Sequence, residues 1–170
     1  MALEQIVSLD VLLPLVAELK EAGKIIVTTN GCFDLLHAGH VQNLEWAKAQ
    51  GDILIVGINS DASVGRLKGP KRPIVPERER ALVIAALKPV DYVFIFGEDT
   101  PLAWLSEMKP AVHVKGGMSG TTPAFLPEEE TVIEGGGQVR LAPHVDGLST
   151  TNSIEKIRAS YREDSESERS

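Results

Sequence analysis

Ile53-Leu54-Ile55-Val56-Gly57-Ile58 is an unbroken apolar run bounded by Asp52 and Asn59, the pattern of a short strand covered on both faces. Apolar-rich segments of strand length also occur at residues 25–29, 91–96 and 111–115, and a short one at 138–141. Between these runs the apolar residues fall at helical spacing. Residues 12–20 read as a leading helix, with Pro14 in its first turn and Gly23 as a stop. Residues 40–50 form a second helix closing at Gly51, and residues 77–87 a third that must end before Pro89. Thr100-Pro101 supplies a cap and a first-turn proline for a short helix to residue 108. Residues 127–133 and 149–161 complete the set. The basic stretch around Gly69-Pro70 and Pro73 reads as a loop, and the polar tail at 162–170, with nothing to bury, as disordered.

Strands alternating with helices at short spacing predict an α/β fold: a Rossmann-like parallel sheet with helices on both faces, in one domain over residues 1–161. In such sheets ligands bind beyond the carboxyl ends of the strands, where strand order reverses. Two predicted strand ends carry chemistry. The first leads into Asn30-Gly31-Cys32-Phe33-Asp34 and then His37-Ala38-Gly39-His40; another ends at Lys115-Gly116.

A helix start presents unpaired N–H groups and the positive end of the macrodipole, so the His37-x-x-His40 turn is a natural phosphate seat. Residues three apart share a helix face, and Gly39 lets an anion approach the backbone. Alternatives remain open from the spacing alone. The pair could be structural, or it could bind zinc with Asp34 or Cys32, although that spacing is not a usual zinc pattern. Asp34 could brace the turn or hold Mg²⁺. A nucleophilic Cys32 would need an activating base and a partly exposed thiolate; it reads instead as a small residue packed at the strand end. Ser149-Thr150-Thr151 places three hydroxyls at the start of the last helix, more than one cap requires, and offers a second phosphate seat. Neither a Walker-type loop nor a Gly-x-Gly-x-x-Gly fingerprint occurs.

Composition narrows the function classes. With 170 residues, 43% of them apolar and 24% charged, the chain is an ordinary globular one, without an apolar run long enough to span a membrane. The net charge of −7 argues against nucleic acid as a partner. It is unevenly spread: residues 66–80 hold six basic side chains and two acidic ones, so this stretch carries +4 and the remainder −11. That predicts a local anion site on an acidic protein. Met1-Ala2-Leu3-Glu4-Gln5 has no basic leader character and Cys32 is the only cysteine, so a cytoplasmic location is expected.

Residues 29–40, together with Arg66-Leu67-Lys68-Gly69, Lys115-Gly116-Gly117 and Ser149-Thr150-Thr151-Asn152, resemble the motifs of the cytidylyltransferase-like nucleotidyltransferases. The likeness is strongest to the branch that makes ADP-heptose. It covers most of residues 8–160 and implies transfer of AMP from ATP to D-glycero-β-D-manno-heptose 1-phosphate, with Mg²⁺ carried on the nucleotide phosphates and pyrophosphate released. A CTP-dependent enzyme acting on glycerol 3-phosphate or another polyol phosphate is the neighbouring alternative. By the same resemblance His37, His40 and Lys68 are the catalytic set. Asn30, Gly31, Cys32, Phe33, Asp34, Gly39, Arg80, Lys88, Lys115, Gly116, Ser149, Thr150 and Thr151 are expected to bind the nucleotide or its phosphates. A homodimer is implied, as is a separate heptose kinase, because fused relatives carry one. The family usually continues Lys-Gly-Gly with Asp-Tyr, whereas Met118-Ser119 follow here, which leaves the contacts of that Asp and the sugar preference open.

Overall fold

A computed structural model describes residues 2–116, 126–143 and 148–167, with side chains to residue 161. After a single 3-10 turn at Ala2–Gln5, the order is α1 (Leu9–Glu21), β1 (Ile26–Gly31), α2 (Ala38–Lys48), β2 (Ile53–Asn59), α3 (Asp61–Lys68), α4 (Glu77–Ala85), β3 (Tyr92–Phe96), α5 (Leu102–Met108), β4 (Val112–Lys115), α6 (Pro127–Glu134), β5 (Gln138–Leu141) and α7 (Thr150–Ser167). The five strands form one sheet in the order β3-β2-β1-β4-β5, and every pairing is parallel.

Alternation along each strand divides the core into two layers. Val27, Leu54, Val56, Ile58, Val93, Val112 and Val114 face Leu44 and Ala47 of α2 and Ala81, Ile84 and Ala85 of α4. Ile26, Ile55, Phe94 and Phe96 face Leu12 and Val16 of α1, Trp104, Leu105 and Met108 of α5, and Val132 of α6. Each fully buried Leu or Ile in these layers contributes about 1.5–3 kcal/mol. Trp104 is the hub of the second layer, edge-on to Phe94, Phe96 and His113 at centroid distances of 5.1, 5.8 and 5.9 Å.

The chain steps from β1 outward to β2 and β3, then returns to the other side of β1 for β4 and β5. The reversal opens a crevice between β1 and β4 at their carboxyl ends.

Two sequence expectations are corrected. Residues 61–68 form α3 rather than loop: Ser60 Oγ accepts from the Ser63 amide at 3.2 Å and caps the helix. The last helix also does not stop at residue 161 but continues to Ser167. Residues 168–170 lie outside the described part, as do Gly117, Met118 and Ser119.

Candidate active site

A cavity of about 580 Å³ occupies the crevice. Its floor is the end of β1 and the turn that follows. Phe33 adopts φ 47°, a left-handed conformation that reverses the chain before α2. His37 is the N-cap of α2 and His40 lies in its first turn. Their rings stack at 3.8 Å between centroids. The His37 amide donates to His40 Nδ1 at 3.3 Å, which leaves the neutral His40 ring its proton on Nε2. Burial, and then the neighbouring His37 ring, push the His40 pKa down to about 4; burial also lowers that of His37. Both rings are therefore neutral near pH 7 and present N–H donors rather than fixed charges. A Cβ on Gly39 would lie 3.1 Å from His37 Nδ1 and 3.4 Å from Leu148 Cβ. The missing side chain thus makes room for the His37 ring as well as for a ligand.

Asp34 is a brace. Its carboxylate is closed from solvent and accepts from the Ile74 and Val75 amides at 2.8 and 2.9 Å and from Arg72 Nε. Burial alone would raise its pKa, but the Val75 amide, Arg72 and the Ile74 amide outweigh it and hold the carboxyl below the ordinary range. Asp34 thereby positions the 72–75 loop, and Arg72 with it, along the cavity wall. Cys32 lines the cavity, yet burial raises its thiol pKa despite the opposing Lys68, Arg80 and Arg72 charges. It is a packed thiol, not an activated nucleophile.

Arg80 is corrected from ligand contact to internal clamp. It is 1% exposed and donates to the Cys32 carbonyl, to the Val75 carbonyl at 2.9 Å and to Asp61 at 2.8 Å. It ties the β1 turn, the 72–75 loop and the start of α3 together from behind. Lys88 is not brought to the site: it borders a shallow depression beside Ile53 and Tyr92, at the amino ends of β2 and β3. Half of the basic side chains of this stretch are likewise engaged with internal partners. Arg66 binds Asp99 and the Gly97 carbonyl, Arg72 binds Asp34, Arg80 binds Asp61, and only Lys68 and Arg72 of the six line the cavity.

The remaining expected residues converge. Asn30, Gly31, Phe33, His37, Gly39, His40, Lys68, Lys115, Gly116, Ser149, Thr150 and Thr151 all line the cavity. Ser149 Oγ accepts from the Asn152 amide at 3.0 Å and still has its proton to offer. Thr150 donates to the Leu35 carbonyl at 3.2 Å, fastening the start of α7 to the histidine turn. Thr151 is exposed to the cavity. Lys115 is ion-paired with Glu128 of α6, a residue the sequence reading missed. Asn43, Asn59, Asp99 and Thr100 were missed as well. Asn43 had a usable signal, lying one turn beyond His40 on the same helix. Asp99 and Thr100 follow β3, and only the strand order reveals that this end opens on the same crevice.

No helix among the described residues is long and apolar enough to cross a membrane. Comparison with known proteins agrees with the geometry. Residues 28–156 match the family model described as cytidylyltransferase-like. The bifunctional protein HldE of Geobacter metallireducens is 53% identical over 160 residues, covering 94% of this chain and 32% of that protein. HldE of Chromohalobacter salexigens is 51% identical over 138 residues, 81% of this chain and 29% of its own length. The chain thus spans about a third of these relatives. The crystal structure of a lipopolysaccharide core biosynthesis protein from Thermoplasma volcanium superposes with a TM-score of 0.60 at 30% identity, covering 73% of this chain and all of that one. A pantoate–β-alanine ligase from Francisella tularensis shares the fold alone, with a TM-score of 0.55 at 14% identity. On the matching family model, the parallel sheet and the histidine turn at its crevice, this chain belongs to the cytidylyltransferase-like family of nucleotidyltransferases.

Proposed function

We propose that the chain transfers AMP from ATP to a heptose 1-phosphate, D-glycero-β-D-manno-heptose 1-phosphate, releasing pyrophosphate. The observation that carries this reading is the stacked His37–His40 pair at the α2 N-terminus, facing the Ser149–Thr151 helix start across one cavity. Two helix starts, two neutral imidazole donors, Lys68 and Arg72 make a receptor for a chain of phosphates. The likeness to HldE proteins supports the heptose acceptor.

The chemistry asks little of the protein beyond alignment. A sugar phosphate oxygen is already a competent nucleophile, and it attacks the α-phosphorus in line while the bond to the β-phosphate oxygen breaks. His40 Nε2–H and the α2 amides stabilise charge growing on the α-phosphoryl oxygens. Lys68 and Arg72 offset the charge of the phosphates, and Ser149 and Thr151 donate to the departing pyrophosphate. Asp34, Asp99 and Glu128 are each paired with a cation, and no cluster of three or more His, Cys, Asp or Glu among the described residues could hold a metal; magnesium would be held through the nucleotide's phosphate oxygens and would supply charge neutralisation there. The acceptor has to be made by a sugar kinase, and the chain acts in the cytoplasm as a homodimer.

Pyrophosphate release with ATP and CTP against a panel of sugar and polyol phosphates, with and without Mg²⁺, tests the assignment. Turnover is expected with ATP, a heptose 1-phosphate and Mg²⁺ together; a preference for CTP with glycerol 3-phosphate would replace it. His40→Ala is expected to fold normally and lose about 10²–10³ in kcat. Near-normal turnover would overturn the role given to the pair. Sedimentation analysis checks the dimer.

A further inference from the structure

The cavity is chemically two-sided. Lys68, Arg72 and the histidine turn supply donors and positive charge; at the end formed by β4 and α6 the described lining residues include a carboxylate, Glu128, and the cation beside it is already paired. There the Lys115 ammonium is committed to Glu128, whose side chain is 8% exposed. Asn30 and Lys115 each follow the last registered pair of β1 and β4, Thr29 with Val114. The Asn30 side-chain oxygen is buried and has no hydrogen-bond partner. This end therefore offers a carboxylate and an unsatisfied amide oxygen, both acceptors, with the local cation already neutralised.

Ionised phosphates are acceptors only, so they are poorly matched to such a surface. Hydroxyl groups are well matched, because each brings a donor, and a carboxylate takes two neighbouring O–H groups readily. An acceptor left without a donor on binding is penalised, so the ligand that supplies the donor is selected.

We infer that Glu128, held by Lys115 and assisted by Asn30, reads a hydroxyl pair on a substrate and is a specificity determinant of this site. The inference rests on the transferase reading for the cavity's occupant and names the part of it that this end recognises. Two sources carry the same chemistry: the ribose of the nucleotide and the ring of the sugar phosphate.

The test is Glu128→Gln in the full chain, which keeps size and removes the charge. Steady-state rates are measured with ATP, 2′-deoxy-ATP and 3′-deoxy-ATP, and with heptose 1-phosphate against ring-deoxy analogues. A rise of about 10- to 100-fold in KM for one substrate is expected, with kcat changed much less, and it disappears for the analogue lacking the hydroxyl that is read. Loss of the effect with deoxy-ATP assigns the ribose; loss with a deoxy sugar assigns the acceptor. An unchanged KM for both substrates, or an equal penalty on hydroxyl and deoxy forms, overturns the inference. If Glu128→Gln does not fold, the same comparison is made with Asn30→Ala. A wild-type chain that binds these ligands but releases no pyrophosphate defeats the transferase reading; calorimetric binding of the same analogue pairs to wild type and variant then decides the hydroxyl inference separately.

Discussion

At the scale of single residues much of the molecule's behaviour is set by groups that are neutral, paired or hidden. His113 shows how the hidden ones act. It is fully buried, its Nδ1 lies 2.9 Å from Thr28 Oγ1, and burial holds its pKa down to about 4. The unfolded chain takes up this proton near pH 6.5 and the folded chain only near 4. Stability is therefore fully present above about pH 6.5 and is lost as the pH falls toward 4, by about 3 kcal/mol for this residue. Thermal unfolding between pH 7 and 4 checks it: His113→Asn should flatten the slope, with the remainder, of the same sign, coming from His40. Arg80→Met should lower stability by about 3 kcal/mol, since it orphans the carbonyls of Cys32 and Val75; denaturant titration measures it. The partners of Arg80 and Asp34 were not legible in the sequence. Asp34 and Arg72 are separated by 38 positions, and which carboxylate meets which guanidinium depends on a strand order that no local pattern encodes.

Among the elements, strands were the most legible because a strand covered on both faces needs continuous apolar residues, as β2 has. Helix α3 was obscured for the opposite reason. It buries only Ser63 and Val64, so it has almost no apolar stripe, and its local signals are confined to its ends: the Ser60 cap, Asp61 in the first turn, Lys68 in the last and Gly69 beyond it. The extension of α7 was missed because its last residues are polar, and composition there speaks for solvation rather than shape. Helix α2 makes a sharp prediction of its own. Gly39→Ala removes a glycine from a helix, which by propensity alone stabilises it by up to about 1 kcal/mol. Yet the new Cβ would press on the His37 ring at 3.1 Å, and a displaced donor costs catalysis steeply. The variant should keep its melting temperature within a few degrees and lose about tenfold or more in kcat; parallel calorimetry and turnover assays separate the two.

For the molecule as a whole, the location of the site followed from sequence once alternating strands implied a reversal point, while its two-sided chemistry did not. The +4 stretch looked like a phosphate receptor, but three of its six basic side chains are paired with Asp34, Asp61 and Asp99 instead. A ligand that bridges the crevice joins both layers of the molecule. ATP with Mg²⁺ at about a hundred times its dissociation constant should therefore raise stability by about 2.7 kcal/mol, seen as a melting-temperature increase that grows with nucleotide concentration. The Arg80 clamp carries a last consequence, for how this surface can drift. Along α4, Leu82 and Val83 are 41% and 45% exposed and are free to vary without touching the cavity. Arg80, on the same short helix and out of any ligand's reach, is not: a change there would register in an activity screen as an active-site defect. Mutational tolerance in α4 should therefore swing from strict to permissive within two residues.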